Sequence, residues 1–181
     1  MILPPPRTNK IAFVDLETTG LNPLKAEIIE IGAIVYDITE GTIQEYNAKV
    51  KPLRIESADP KALEVNGYTE KEWKKAGTLE EALKGLGEIA EGATFLAYNV
   101  SFDWSFLEVA YEATGLPVPF HYHRLCVMSM ATIKIPKSKV QSYSLKTVCA
   151  YLGIAPEPKV HRALNGAQKA MEVYMALTKP V

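Results

Sequence analysis

The sequence predicts an α/β domain in which a mixed sheet is flanked by helices. Two observations carry this. The first fifty residues alternate between continuous apolar runs and strict polar–apolar alternation, the patterns of buried and half-wet strands. From about residue 79 onward the apolar residues recur at helical spacing, broken once by a short apolar strand.

Ile11-Ala12-Phe13-Val14 is a four-residue apolar run, as expected of a strand covered on both faces. Ile28 to Ile38 is β-branched and apolar, and Gly41 marks a turn. Tyr46, Ala48 and Val50 then alternate with Asn47, Lys49 and Lys51, which gives a strand with one wet face and completes an antiparallel meander. Leu79, Leu83, Leu86 and Ile89-Ala90 share one side of a helix over 79–90. Phe95 to Tyr98 is a short buried strand, and Phe102 to Ala113 a helix with Phe102, Phe106, Val109 and Ala110 as its stripe, ended by Gly115 and Pro117. Ser144 fits the N-cap of a helix over 145–152 that Gly153 stops. The last helix covers 163–177. The order is β-β-β-α-β-α-α-α.

The 181 residues suit one core, so residues 10–178 form a single domain behind a tail of residues 1–9, where three successive prolines supply no backbone donors. No apolar run is long enough for a membrane span, and the Pro-rich start does not fit a signal peptide, so a cytoplasmic protein is expected. Cys126 and Cys149 lie in apolar segments and are read as reduced core residues. A formal net charge of −1 excludes a global basic excess, so binding to phosphates has to come from a local site.

Three clusters carry chemistry. Asp15 and Glu17 are two apart on a strand, so they share a face about 6.6 Å apart along the chain. Paired carboxylates on a buried strand repel unless a cation lies between them, and two divalent ions roughly 3.5–4 Å apart fit such a gap. Oxygen donors favour Mg²⁺ or Mn²⁺ over zinc. Solvated acids at a strand end are the plainer alternative. Asp103 falls in the first turn of a helix, with Ser101 as a candidate cap. It is therefore either a site carboxylate or an acid placed by the helix dipole. His161 precedes the last helix, where a histidine is commonly a surface or capping residue.

Taken together, Asp15-Leu16-Glu17-Thr18-Thr19-Gly20, then Asn99, Phe102 and Asp103, then His161, resemble the motifs of the DnaQ-like (DEDDh) 3′–5′ exonucleases. The likeness runs from about residue 10 to 178 and includes Val65-Asn66-Gly67-Tyr68-Thr69 and Ser142-Tyr143-Ser144-Leu145. It implies a ribonuclease H-like fold with a mixed five-stranded sheet. It implies two divalent cations, Mg or Mn, held by Asp15, Glu17 and Asp103, the last in part through water. It implies His161 as general base, which calls for a pKa near working pH. Thr18, Thr19, Gly20, Leu21, Asn99 and Phe102 would line the pocket for the terminal nucleotide, with Leu21 wedged against its base. The partners it implies are the 3′ end of DNA or RNA and, for a proofreading subunit, a DNA polymerase. The few residues after Leu177 offer no evident polymerase tether, which leaves a free-standing exonuclease domain open.

One position departs from the pattern. The family's last carboxylate belongs five residues after His161, where this chain has Gly166. Helical geometry sets Asn165 far round from the packed face of Ala163, Ala167 and Ala170, whereas an acid at 166 would look into the site. A glycine there costs about 1 kcal/mol against alanine, and no turn requirement accounts for it. The expectation is a chain that binds metal poorly and cleaves slowly, with Gly166→Asp raising activity by orders of magnitude. The alternative is a non-catalytic module that holds a 3′ end in the same pocket.

Two further features have plain readings. His121-Tyr122-His123 fits an edge or loop pair better than a metal site, since no third ligand is near in sequence. Lys134, Lys137 and Lys139 form a solvated basic loop or a phosphate contact before the penultimate helix.

Overall fold

The computed structural model describes residues 7–179. Residues 1–6 of the expected tail lie outside the described residues. Of the rest, the Thr8 N–H donates to the Gly92 carbonyl, and the Asn9 carbonyl accepts from the Ile38 N–H.

The strands are β1 (Lys10–Thr18), β2 (Ile28–Asp37), β3 (Ile43–Lys49), β4 (Thr94–Ala97) and β5 (Arg124–Cys126). They form one five-stranded sheet in the order β3-β2-β1-β4-β5. The pairs β1–β2 and β2–β3 are antiparallel, whereas β4 runs parallel to β1 and β5 parallel to β4. The sheet is therefore mixed, as expected, and β1 lies at its centre. The helices are α1 (Pro60–Asn66), α2 (Leu79–Ala90), α3 (Val100–Thr114), α4 (Val127–Lys134), α5 (Leu145–Leu152) and α6 (Ala163–Thr178).

Residues on successive positions of β1 divide between two cores. Ala12, Val14 and Leu16 pack with Leu83, Leu86, Phe106 and Leu107 from α2 and α3. Ile11 and Phe13 pack with Val127, Val148, Ala167, Ala170 and Val173 from α4, α5 and α6. Burial on both faces explains why the run 11–14 reads as continuously apolar. Cys149 is buried in the second core, and neither cysteine is in a disulfide. Among the described residues no helix is long and apolar enough to cross a membrane.

Three elements have no counterpart in the sequence reading. Helix α1 is seven residues long, capped by Asp59 and led by Pro60, too short to display a period. Strand β5 has three residues, two of them exposed at the sheet edge. Helix α4 has no separated polar and apolar faces for periodicity to reveal, because Met, Ala and Ile occur around its whole circumference. One cap also differs. The N-cap of α3 is Asn99 rather than Ser101, because the helix begins at Val100, two residues before the apolar stripe. Ser144 does cap α5, accepting from the Thr147 N–H at 3.3 Å, and Gly153 ends that helix in the left-handed conformation.

Candidate active site

In the antiparallel register Asp15 stands opposite Gly32, and Glu17 opposite Glu30. Residues directly opposite share a face. One patch of the central sheet therefore carries Asp15, Glu17 and Glu30 around a glycine. A Cβ on Gly32 would overlap the backbone of Ala163 and Leu164, so the first turn of α6 rests directly on the sheet at that point. The bare glycine is what brings the start of α6, and His161 just ahead of it, to the acids. On the other side, α3 starts just past the end of β4 and sets Asp103 in its first turn, 3% exposed.

These elements close on a cavity of about 230 Å³ lined by Asp15, Tyr98, Asn99, Phe102, Asp103, Leu145, Glu157 and His161. Five residues singled out from the sequence, Asp15, Asn99, Phe102, Asp103 and His161, thus meet in one place. Glu17 does not line the cavity but sits buried next along β1. Thr18, Thr19 and Gly20 also lie off it. The Thr18 hydroxyl donates to the Gly20 carbonyl at 2.7 Å, and the Thr19 hydroxyl accepts from the Glu27 N–H at 2.8 Å. Both hydroxyls shape the loop after β1. Leu21, at the tip of that loop, is 80% exposed.

The acids strain against one another. Burial first, then the charges of Asp103, Glu17, Glu157 and Glu30, hold Asp15 well above the usual carboxylate range. Glu17 is pushed up to about 8, by burial and then by Glu30 and Glu157, with Arg162 pulling the other way. Burial raises Asp103 to about 7 even though backbone groups of Asp103 and Leu16 favour its anion. Buried oxygen donors that cannot all ionise are the chemistry a hard divalent cation relieves. Among the described residues no three acid, histidine or cysteine side chains already stand at ion-gripping distance, so holding a cation calls for side-chain rotation on this fixed backbone. In donor type and charge the residues fit the group.

The structure also supplies a reason for Gly166. It lies inside α6 with no positive φ, yet a Cβ there would run into the Asp15 carboxylate. The direction agrees with an acid at 166 looking into the site. The absence of a turn requirement holds, and the space is taken by the Asp15 carboxylate, the far end of a side chain that can turn aside. Asn165 is half-buried, and Ala163, Ala167 and Ala170 are fully buried.

Four residues were given no role in the sequence reading. Glu157 lines the cavity from the loop before His161. Glu30 is fully buried with neither carboxylate oxygen hydrogen-bonded among the described residues. Its signal was present, a lone charge inside the run Ile28-Ile29-Glu30-Ile31. Asn66 is 1% exposed, and its amide donates to the Thr18 carbonyl at 3.1 Å. Arg162 donates to the Asn66 carbonyl and, at 2.6 Å, to Glu72. The His161 N–H donates to the Val65 carbonyl at 3.0 Å. The end of α1 therefore ties the acid-bearing strand to the histidine segment. His121 and His123 sit in the loop ahead of β5, where the His121 ring accepts from the His123 N–H at 3.3 Å. Lys134, Lys137 and Lys139 are exposed.

A family model described as Exonuclease, of the RNase T type, matches residues 12–174. The PolC-type DNA polymerase III of Thermotoga petrophila is 34% identical over 166 residues, which is 90% of this chain and 11% of that protein. The DNA polymerase III subunit epsilon of Escherichia coli (strain K12) is 28% identical over 171 residues, 91% of this chain and 70% of that protein. The chain thus spans only a small part of its PolC-type relatives. Among solved structures, apo Exonuclease I aligns with a TM-score of 0.77 at 17% identity, covering 94% of this chain and 42% of that one. The nuclease domain of 3′hExo, a DEDDh family member bound to rAMP, aligns with a TM-score of 0.70 at 19% identity, covering 92% and 90%. The shared architecture is the ribonuclease H-like fold.

Proposed function

The chain belongs to the exonuclease family of the RNase T type, and from that premise we propose that it is a DnaQ-like enzyme of the DEDDh kind that removes nucleoside 5′-monophosphates from the 3′ end of DNA or RNA with the help of two divalent cations, Mg²⁺ or Mn²⁺. The observation that carries the reading is the single cavity shared by Asp15, Asp103 and His161, with Glu17 buried beside it.

Asp15, Glu17 and Asp103 would hold the cations. Bound there, the ions would polarise a water and neutralise charge on the attacked phosphate and the leaving 3′ oxygen. His161, exposed and lining the cavity, would act as the general base that takes the proton of the attacking water. The Val65 carbonyl fixes its backbone. Phe102 and Asn99 border the space for the terminal nucleotide, and Phe102 packs at a tilt against Phe106 with ring centroids 5.0 Å apart, which steadies that wall. Leu21, free at its loop tip, packs on the terminal base. With glycine at 166 the site has one acid fewer in the usual place, which weakens metal binding and slows cleavage. The polymerase named among the relatives is a candidate partner for proofreading.

The same gap supports a second reading, a module that holds a 3′ end without cutting it. One assay separates the two. A 5′-labelled oligonucleotide, as DNA and as RNA, is incubated with Mg²⁺ or Mn²⁺ and with the chain or its Asp15→Ala and Gly166→Asp variants. A ladder shortening from the 3′ end, absent with Asp15→Ala, selects the exonuclease. Tight binding with an intact label pattern in every variant, Gly166→Asp included, selects the module.

A further inference from the structure

We infer that Glu157 is a carboxylate that takes over, in part, the metal-holding role for which position 166 has no side chain. The inference rests on the exonuclease reading above and assigns one more ligand to its site.

The Asp15 carboxylate lies where the first carbon of any side chain at 166 would go. With glycine at 166, an extra acid in this chain has to come from another direction. Glu157 lines the same cavity as Asp15, Asp103 and His161. It is half-buried, and among the described residues it has no ion-pair partner, so no lysine or arginine claims its charge.

The local sequence accounts for the placement. Glu157 stands between Pro156 and Pro158. Proline after it excludes the helical region for Glu157, and proline before it fixes the preceding φ, so the backbone is held extended at this point. The segment is also short, running from Gly153, which ends α5, to His161. An extended, proline-stiffened strap pinned at the Val65 carbonyl presents one side chain to the cavity at little entropic cost. A carboxylate on a four-bond side chain adds an oxygen donor of the kind Mg²⁺ and Mn²⁺ prefer. Nothing about the strap resembles a helix-borne ligand, so an acid supplied this way is invisible to a motif counted from His161.

The test is direct binding of Mn²⁺, by calorimetry and by loss of the free-ion paramagnetic signal, on the full chain and on Glu157→Gln, Glu157→Asp, Gly166→Asp and the double variant Glu157→Gln/Gly166→Asp. Glu157→Gln is expected to weaken Mn²⁺ binding by roughly tenfold or more, while in the Gly166→Asp background the same change costs less than about threefold because the new acid carries most of the load. Glu157→Asp, one methylene shorter with its charge kept, is expected to fall between parent and Glu157→Gln, and thermal melting in EDTA identifies any variant that fails to fold. Parent-like Mn²⁺ binding by folded Glu157→Gln overturns the inference, as does an equal loss in Glu157→Gln and Glu157→Asp or an equal loss in both backgrounds. Metal binding that depends on Glu157 in a chain that never shortens an oligonucleotide upholds the inference and sinks the exonuclease reading. Cleavage with Glu157-independent binding does the reverse.

Discussion

The carboxylate of Asp15 lies against the Cα of Gly166, in the volume a β-carbon would occupy. A strand residue and a helix residue thus share one space, and what occupies it decides both the stability and the metal affinity of the site.

Gly166→Asp should separate those two properties. The new side chain displaces Asp15 and sets a second buried carboxylate beside it. In EDTA the variant is expected to melt lower, by about 1–3 kcal/mol of stability, the usual cost of overfilling a packed site. With Mn²⁺ limiting, its cleavage rate is expected to rise roughly 10- to 100-fold, in line with the effect of gaining a ligand. Melting curves with and without Mn²⁺, together with the rate, check both halves.

The raised acids predict an inverted pH profile for stability. Glu17 titrates at about 8 and Asp103 at about 7 in the folded chain, both above their unfolded values. Between the unfolded and folded values the folded state binds more protons, so stability falls as pH rises through that window. In EDTA the melting temperature is expected to drop from pH 5 to pH 8, and excess Mg²⁺ to remove most of that drop by favouring the anions. A melting temperature that rises over that range in EDTA would contradict the assignment.

Asn66 is expected to act on turnover from outside the cavity. Its side-chain amide donates to the Thr18 carbonyl, while its backbone carbonyl, which the substitution keeps, accepts from Arg162, the neighbour of His161. Asn66→Ala leaves a buried carbonyl unpaired and should cost about 1–3 kcal/mol. It should lower kcat more than it raises KM, because it loosens the histidine segment against the acid strand. Steady-state kinetics on a single oligonucleotide reads the split.

Leu21→Ala should do the opposite. The side chain is 80% exposed, so stability is expected to change by less than about 0.5 kcal/mol. KM should rise with kcat little altered if Leu21 packs on the terminal base, and the effect should be larger for purine than for pyrimidine ends.

The parts legible from sequence are those with a period or a motif. Asp15 and Glu17 were legible because strand residues two apart must share a face, and the α2 stripe of Leu83 and Leu86 because burial repeats every three to four residues. Asp103 and His161 needed the family motif, since nothing local brings α3 and α6 to the same cavity. Glu157 was illegible for a physical reason: it is placed by two prolines and a pinned loop, and no repeat marks it. Gly166 was half legible. Its helical phase gave the direction of its missing side chain, but the occupant of that direction, Asp15, comes from a strand about 150 residues earlier, a distance over which periodicity carries no information.

Gly32 has no chemistry, yet the start of α6 is seated on it, directly across from Asp15. A methyl group there would act at the fulcrum of a sixteen-residue lever, lifting the histidine end of α6 from the acids while the far end stayed docked through Val173 and Leu177. A random-mutagenesis screen for inactive but soluble variants should therefore return position 32 alongside the acids themselves.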